Sequence, residues 1–118
     1  MSLLGIVRHM ADVEHGWFVQ SVAGLDEPPP YRTEDEPDAD WAGAVADDDV
    51  VRDAFARWTA ACERSDQIAA GLDLDATTQM DEWTMSLRSR LLHSIEEYAR
   101  HNGHADLIRE QVDGRTGE

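Results

Sequence analysis

The sequence has no lysine, a single cysteine and no long apolar run. Its ten basic residues are all arginine and stand against 25 Asp and Glu, so the formal net charge is −15. A surface of this charge repels phosphate backbones and anionic lipids, which disfavours nucleic-acid and membrane partners. The single cysteine, Cys62, excludes an intrachain disulfide. No run approaches the roughly 20 apolar residues of a membrane span.

The N-terminus MSLLGIVRHM lacks the basic start and the small-residue cleavage site of a signal peptide, so we expect a cytoplasmic protein. The absence of lysine beside abundant Ala, Asp and Arg is typical of a GC-rich genome such as that of an actinobacterium, and a halophile would show the same bias. With 118 residues, of which 42% are hydrophobic, the chain is predicted to form a single domain over residues 1–118.

Three stretches have the apolar periodicity of helices, and no stretch has a competing strand pattern. The predicted helices run over residues 2–22, 47–71 and 86–112, with Ser2 as an N-cap and Gly71 and Gly114 as stop signals. The predicted fold class is therefore all-α. The residues expected to face the core are Leu3, Ile6, Val7, Met10, Val13 and Trp17 in the first helix, Val51, Phe55, Trp58, Cys62, Ser65 and Ala69 in the second, and Leu87, Leu91, Ile95, Tyr98, Ala105 and Val112 in the third.

Two polar connections separate the helices. Residues 24–49 hold all four prolines and, from Asp26 onward, ten acidic residues against Arg32 alone. Proline excludes a regular helix here, and we expect a long crossover whose charges are solvated. A shorter polar loop passes through Thr77, Thr78 and Glu82.

Histidines are concentrated near the end of the chain, where His93, His101 and His104 fall within twelve residues. Glu97 and His101 are four apart and so project from one face of the third helix, beside its apolar stripe. Imidazole and carboxylate together suit a divalent metal. His93 lies about 12 Å from His101 along the helix axis, too far to share one ion with it.

A third ligand would have to come from another helix, and His9 occupies the matching edge of the apolar stripe in the first helix. Three protein ligands would leave one position open, as catalytic metal sites do. The alternative is that these are hydrogen-bonded histidines at the rim of a bundle, because an isolated Glu-x-x-x-His pair also occurs on solvated helices. No His-Glu-x-x-His motif, Glu-x-x-His pair, glycine-rich phosphate loop or serine-centred elbow is present.

Two stretches of the sequence, SLLGIVRHMADVEHGWF and SLRSRLLHSIEEYARHNGHADLIRE, resemble the DinB-like superfamily. The closest likeness is to its branch related to mycothiol-dependent maleylpyruvate isomerase. The resemblance implies a four-helix bundle with a long crossover, here with three main helices because the first helix of the family is missing before SLLG. It also implies one divalent metal on three ligands, which correspond to His9, Glu97 and His101.

By the same resemblance, the protein would be a thiol-dependent S-transferase or isomerase. A low-molecular-weight thiol such as mycothiol would be the co-substrate, a small electrophile the substrate, and zinc the first candidate metal, with nickel or iron as alternatives. The alternative function is a non-catalytic metal-binding protein of the same fold that acts in stress or interaction. Weaker candidates for lining the cavity or supporting the ligands are Asp12, Trp17, His93 and His104.

Either the start of the sequence has been placed too late, or another chain fills the position of the missing first helix. Without that helix, part of the apolar stripes would be uncovered. Large exposed apolar patches normally mark interfaces, and twofold pairing is the commonest way to cover them. We therefore expect a homodimer that uses the first or second predicted helix, with Trp17, Phe18 or Trp58 among the exposed residues.

Overall fold

The structure, a computed structural model, describes residues 1–80 and 82–117, and for Met80 only the backbone. Helix α1 spans Leu3–Glu14 and continues as a π-helix over His15–Val22; α2 is Ala39–Ala42, α3 is Asp48–Ala70, strands β1 and β2 are Thr77–Met80 and Trp83–Ser86, and α4 is Leu87–Asp113. The described part of the chain is mostly helical, which confirms the all-α class. No helix among the described residues has both the length and the apolar character that crossing a membrane requires.

The long helices start and stop at the residues whose side chains suit helix ends. Ser2, Asp47 and Ser86 each accept a hydrogen bond from a backbone amide in the first turn that follows. Such side-chain caps satisfy amide groups that have no partner within the helix. Gly71 ends α3, and Gly114 ends α4 in the left-handed conformation with φ at 72°. The predicted helix ends are therefore confirmed.

Helix α1 and its π-helical continuation form the centre of the fold, since both pack on α3 and α1 also contacts α2 and α4. The main apolar cluster joins Phe18 and Val22 of the π-helix to Leu87 at the start of α4. The π-helix itself was not predicted. Its wider turns are visible in the bond from the Ala23 amide to the Phe18 carbonyl, 2.8 Å long and five residues apart.

The prediction of a polar loop through Thr77 and Thr78 is wrong. These residues open an antiparallel hairpin in which Thr77 pairs with Ser86 and Met80 with Trp83. Threonine and tryptophan favour strands, but each strand is only four residues long, too short for an alternating pattern to stand out. The hairpin positions α4, because the Leu87 amide donates to the Ala76 carbonyl at 2.8 Å.

Several residues predicted to face the core are exposed instead: Leu3, Val51, Phe55, Ile95 and Val112. Phe55 and Ile95 border two neighbouring cavities of about 260 and 500 Å³ that both lie against Tyr98. We call these two cavities the α3–α4 groove. The helical spacing placed Phe55 and Ile95 on the apolar faces of their helices, but among the described residues these two side chains border a groove rather than a packed neighbour.

Close packing of α2 on α1 requires glycine at position 5. A Cβ built on Gly5 would lie 2.7 Å from Cε3 of Trp41, well inside van der Waals contact. We expect Gly5→Ala to lower the free energy of unfolding by about 1–2 kcal/mol, since an indole ring held by its neighbours yields poorly to overpacking.

Gly103→Ala is the matched control, because Gly103 lies within α4 and a Cβ there meets nothing within 4 Å. It should raise the free energy of unfolding by up to about 1 kcal/mol through helix propensity. Chemical denaturation of both variants measures the difference. A Gly5→Ala protein as stable as Gly103→Ala would contradict the packing argument.

Candidate metal centre

The structure brings His9 of α1 together with Glu97 and His101 of α4. Each offers one ligand atom such that all three atoms lie within 4.8 Å of one another. Nε2 of His101 lies 3.6 Å from a carboxylate oxygen of Glu97, and the two imidazole centroids are 4.8 Å apart. Helical spacing explains the α4 pair, and the contact of α1 with α4 brings His9 to it.

These three residues fit a divalent metal. Ligands at about 2.0–2.2 Å from a tetrahedral zinc ion lie about 3.4 Å from one another. The 3.6 Å between His101 and Glu97 is close to that value, and all three ligand atoms lie within 4.8 Å of one another. Two imidazoles and one carboxylate suit zinc and also nickel or iron. Their role as ligands stays a prediction.

Burial gives the site a partly dry environment. The side chains of His101, Glu97 and His9 are 9%, 14% and 18% exposed. Burial of the ring, together with the nearby His9, lowers the pKa of His101 below its usual 6.5. The stability that the neutral ring contributes is therefore complete above pH 6.5 and is lost as the pH falls towards the lowered pKa. The neutral ring is also the form that binds metal.

Asp40 is a member of this site that the sequence analysis missed. Its carboxylate lies 2.7 Å from Nδ1 of His9, and it is 1% exposed. The indole of the next residue, Trp41, stacks on the His9 ring with centroids 4.8 Å apart and planes 27° from parallel. Both residues lie in the connection that was expected to be solvated, and for them that expectation is wrong. A tryptophan directly after an aspartate in an otherwise polar, proline-rich segment was the signal that could have found them.

The connection follows this course because α1 binds it. The carboxylate of Asp12, which is fully buried, accepts hydrogen bonds from the backbone amides of Tyr31 and Arg32, both at 2.9 Å, and from Nε of Arg32 at 3.1 Å. Arg8, one turn earlier, donates to the backbone carbonyls of Ala39 and Asp40, both at 2.8 Å. Asp12 and Arg8 therefore together hold the segment that carries Asp40 against α1.

The other weak candidates also lie at the site. The rings of Trp17 and His93 meet edge to face with centroids 4.5 Å apart, and Nε2 of His93 is 3.6 Å from Glu97. His104 approaches His101 with their Nδ1 atoms 3.4 Å apart. A cavity of about 360 Å³ opens beside two of the candidate ligands, and it is lined by His9, Asp12, Val13, Gly16, Trp17, Gln20, Arg32, His93 and Glu97.

The α3–α4 groove lies on another side of the same residues, since His101 also lines its 260 Å³ cavity. In this groove the Tyr98 hydroxyl donates to a carboxylate oxygen of Glu14 at 2.8 Å and accepts from Nε1 of Trp58 at 2.9 Å. Burial raises the pKa of the neighbouring Cys62 thiol. A thiol that stays protonated at neutral pH is a poor nucleophile, which agrees with the interpretation of Cys62 as a packing residue.

We expect His101→Ala to lose stoichiometric metal binding while the protein stays helical. Losing one of three ligands removes much of the affinity for the metal. The fold should persist, because a side chain at the edge of the bundle tolerates truncation. Elemental analysis of protein purified without chelator measures the metal, and circular dichroism measures the fold. One retained metal per chain would exclude this ligand set.

A pair of neighbouring glutamates supplies the matched control. Glu97→Gln replaces the candidate ligand by a poor one, while Glu96→Gln makes the same change on a side chain that is 69% exposed. Only the change at Glu97 should reduce metal binding.

The model of the family described as Mycothiol-S-transferase matches residues 1–114. No curated protein and no solved structure gives a significant match. The match covers nearly the whole chain and agrees with the resemblance seen in its first and last helices. The chain belongs to the mycothiol S-transferase family, a family of the DinB-like group.

Proposed function

We propose that this protein is a metal-dependent S-transferase that joins mycothiol, or a closely similar low-molecular-weight thiol, to a small electrophile. A thiol-dependent isomerisation of the electrophile is the second reaction that the same site could carry out. The observation that carries the proposal is the cluster of His9, Glu97 and His101 beside a cavity of about 360 Å³. Membership of the mycothiol S-transferase family supports the choice of thiol.

In this proposal His9, Glu97 and His101 hold one divalent cation, with zinc as the first candidate and nickel or iron as alternatives. A bound cation supplies the positive charge that ionises a thiol at neutral pH. The chain then needs no nucleophile of its own, which fits the raised pKa of Cys62. The thiol sulfur forms a bond to the electrophilic carbon, the leaving group departs with the electron pair of its bond, and the thiol proton passes to solvent.

The cavity beside the candidate ligands suits both reactants. Trp17 and His93 provide an aromatic wall, against which a flat electrophile can pack. Arg32 and Gln20 provide polar groups at the same cavity, and these can donate hydrogen bonds to the hydroxyls of the thiol. Two of the three candidate ligands, His9 and Glu97, line this cavity, so reactants bound there would lie against the residues that would hold the cation.

The test is conjugation of mycothiol to the fluorogenic electrophile monochlorobimane, with and without added zinc. We expect metal-dependent conjugation above the uncatalysed rate, a loss of at least about 100-fold in kcat/KM in Glu97→Gln, and wild-type activity in Glu96→Gln. If the protein binds metal but conjugates none of the thiols tested, it is instead a non-catalytic metal-binding protein.

We also propose that the protein pairs as a homodimer through the α3–α4 groove. Support comes from Leu3, Phe55 and Ile95, which line this groove and are 42%, 49% and 64% exposed. Phe18 was expected in this interface, but it is 3% exposed and belongs to the core. A cytoplasmic location stays a prediction from the N-terminal sequence, and an actinobacterial source stays a prediction from composition.

Light scattering at micromolar concentration and moderate salt measures the assembly. We expect twice the mass of the 13.2 kDa chain, and a shift to the monomer in Phe55→Asp, since a buried unpaired charge disfavours an apolar interface. Arg52→Asp, an exposed change nearby on α3, is the control. A monomeric wild-type protein would exclude the dimer.

A further inference from the structure

We propose that Asp40 is a positioning residue for the metal centre, whose carboxylate fixes the His9 ring so that Nε2 is the atom presented to a divalent cation. The inference rests on the proposed function, since it concerns the same site. It adds a residue from the acidic connection to a centre whose three candidate ligands all lie on α1 and α4.

The hydrogen bond defines which nitrogen of His9 carries a proton. The Asp40 carboxylate can only accept, so at 2.7 Å from Nδ1 it requires the proton to be on that nitrogen. In a neutral ring the lone pair then lies on Nε2, which is the form in which histidine binds a metal through Nε2. A hydrogen bond to a carboxylate also makes the ring a stronger ligand.

The carboxylate is held in place independently of any metal. One of its oxygens accepts from the backbone amide of Trp41 at 3.0 Å, while the other faces His9. Arg8 fixes the backbone on either side through the Ala39 and Asp40 carbonyls. The guanidinium of Arg8 is itself packed over the Tyr31 ring at 3.8 Å from its centroid. Asp40 therefore presents a prepared acceptor to the His9 ring.

Nearby positive charge already accompanies this buried carboxylate. The guanidinium of Arg8 donates to the backbone carbonyls of Ala39 and Asp40, both at 2.8 Å, and so lies beside the Asp40 side chain, which is 1% exposed. Because Arg8 bonds the backbone, His9 is the one side chain among the described residues that the Asp40 carboxylate contacts. The carboxylate is therefore available to orient the His9 ring.

The test compares Asp40→Asn with Asp38→Asn. The first variant keeps the shape and the acceptor for the Trp41 amide but removes the charge. The second makes the same change two residues earlier, on an exposed side chain without a capping hydrogen bond. Competition with a chromophoric chelator measures zinc affinity. We expect Asp40→Asn to bind zinc about 10- to 100-fold more weakly and Asp38→Asn to stay within about twofold of the wild type.

A second measurement uses the metal-free wild-type protein. Long-range ¹H–¹⁵N correlation spectra report the protonated nitrogen of each neutral histidine, and we expect the His9 proton on Nδ1. In Asp40→Asn that preference should weaken, because an amide can donate as well as accept. This readout does not depend on catalysis or on metal.

The outcomes separate the two proposals. A wild-type protein that binds no zinc refutes the metal centre, whatever the state of His9. Zinc binding that is equally tight in Asp40→Asn leaves the metal centre standing and refutes the role of Asp40. A His9 proton found on Nε2 in the wild type also refutes that role, even if the variant fails to fold.

Discussion

One buried carboxylate determines how the acidic connection lies on the helical core. Asp12 accepts two consecutive backbone amides, those of Tyr31 and Arg32, so it fixes the path of the main chain and not merely one side chain. Arg8, one helical turn away, also fixes the main chain, but as a donor, because its guanidinium bonds two backbone carbonyls. These two contacts hold residues 31–32 and 39–40 on α1, and they place Asp40 beside His9.

The candidate centre thus depends on two structural layers. Helices α1 and α4 bring His9, Glu97 and His101 together, and packing of α1 against its neighbours decides their spacing. The connection then encloses the His9 side through Asp40 and Trp41. Because the second layer depends on hydrogen bonds to Asp12, loss of that carboxylate would disturb the centre without touching a ligand.

The features that could be predicted from the sequence are those encoded within one helix. The Glu97–His101 spacing, the caps at Ser2 and Ser86 and the stop at Gly114 all depend on residues within a turn or two. His9 was found because it lies at the edge of an apolar stripe, a position that a helix presents to its neighbours.

The features that could not be predicted depend on contacts between distant segments. Asp40 lies 31 residues from its partner His9, and apart from the tryptophan that follows it, nothing local distinguishes it from the other nine acidic residues of the connection. The exposure of Phe55 and Ile95 has the same origin, because periodicity identifies an apolar face but not the element that covers it. The hairpin could not be predicted because its strands, each four residues long, are too short to show an alternating pattern.

The contact between Gly5 and Trp41 bears on how sequences of this family can diverge. A side chain at position 5 and an indole at position 41 would occupy the same space. We therefore expect a larger residue at position 5 to be accompanied by a smaller residue at position 41. Because Trp41 also stacks on the His9 ring, a smaller residue at position 41 would change the surroundings of His9 as well as the packing of α2 on α1. A substitution at Gly5, which is not a candidate ligand, would in this way alter the environment of the metal centre.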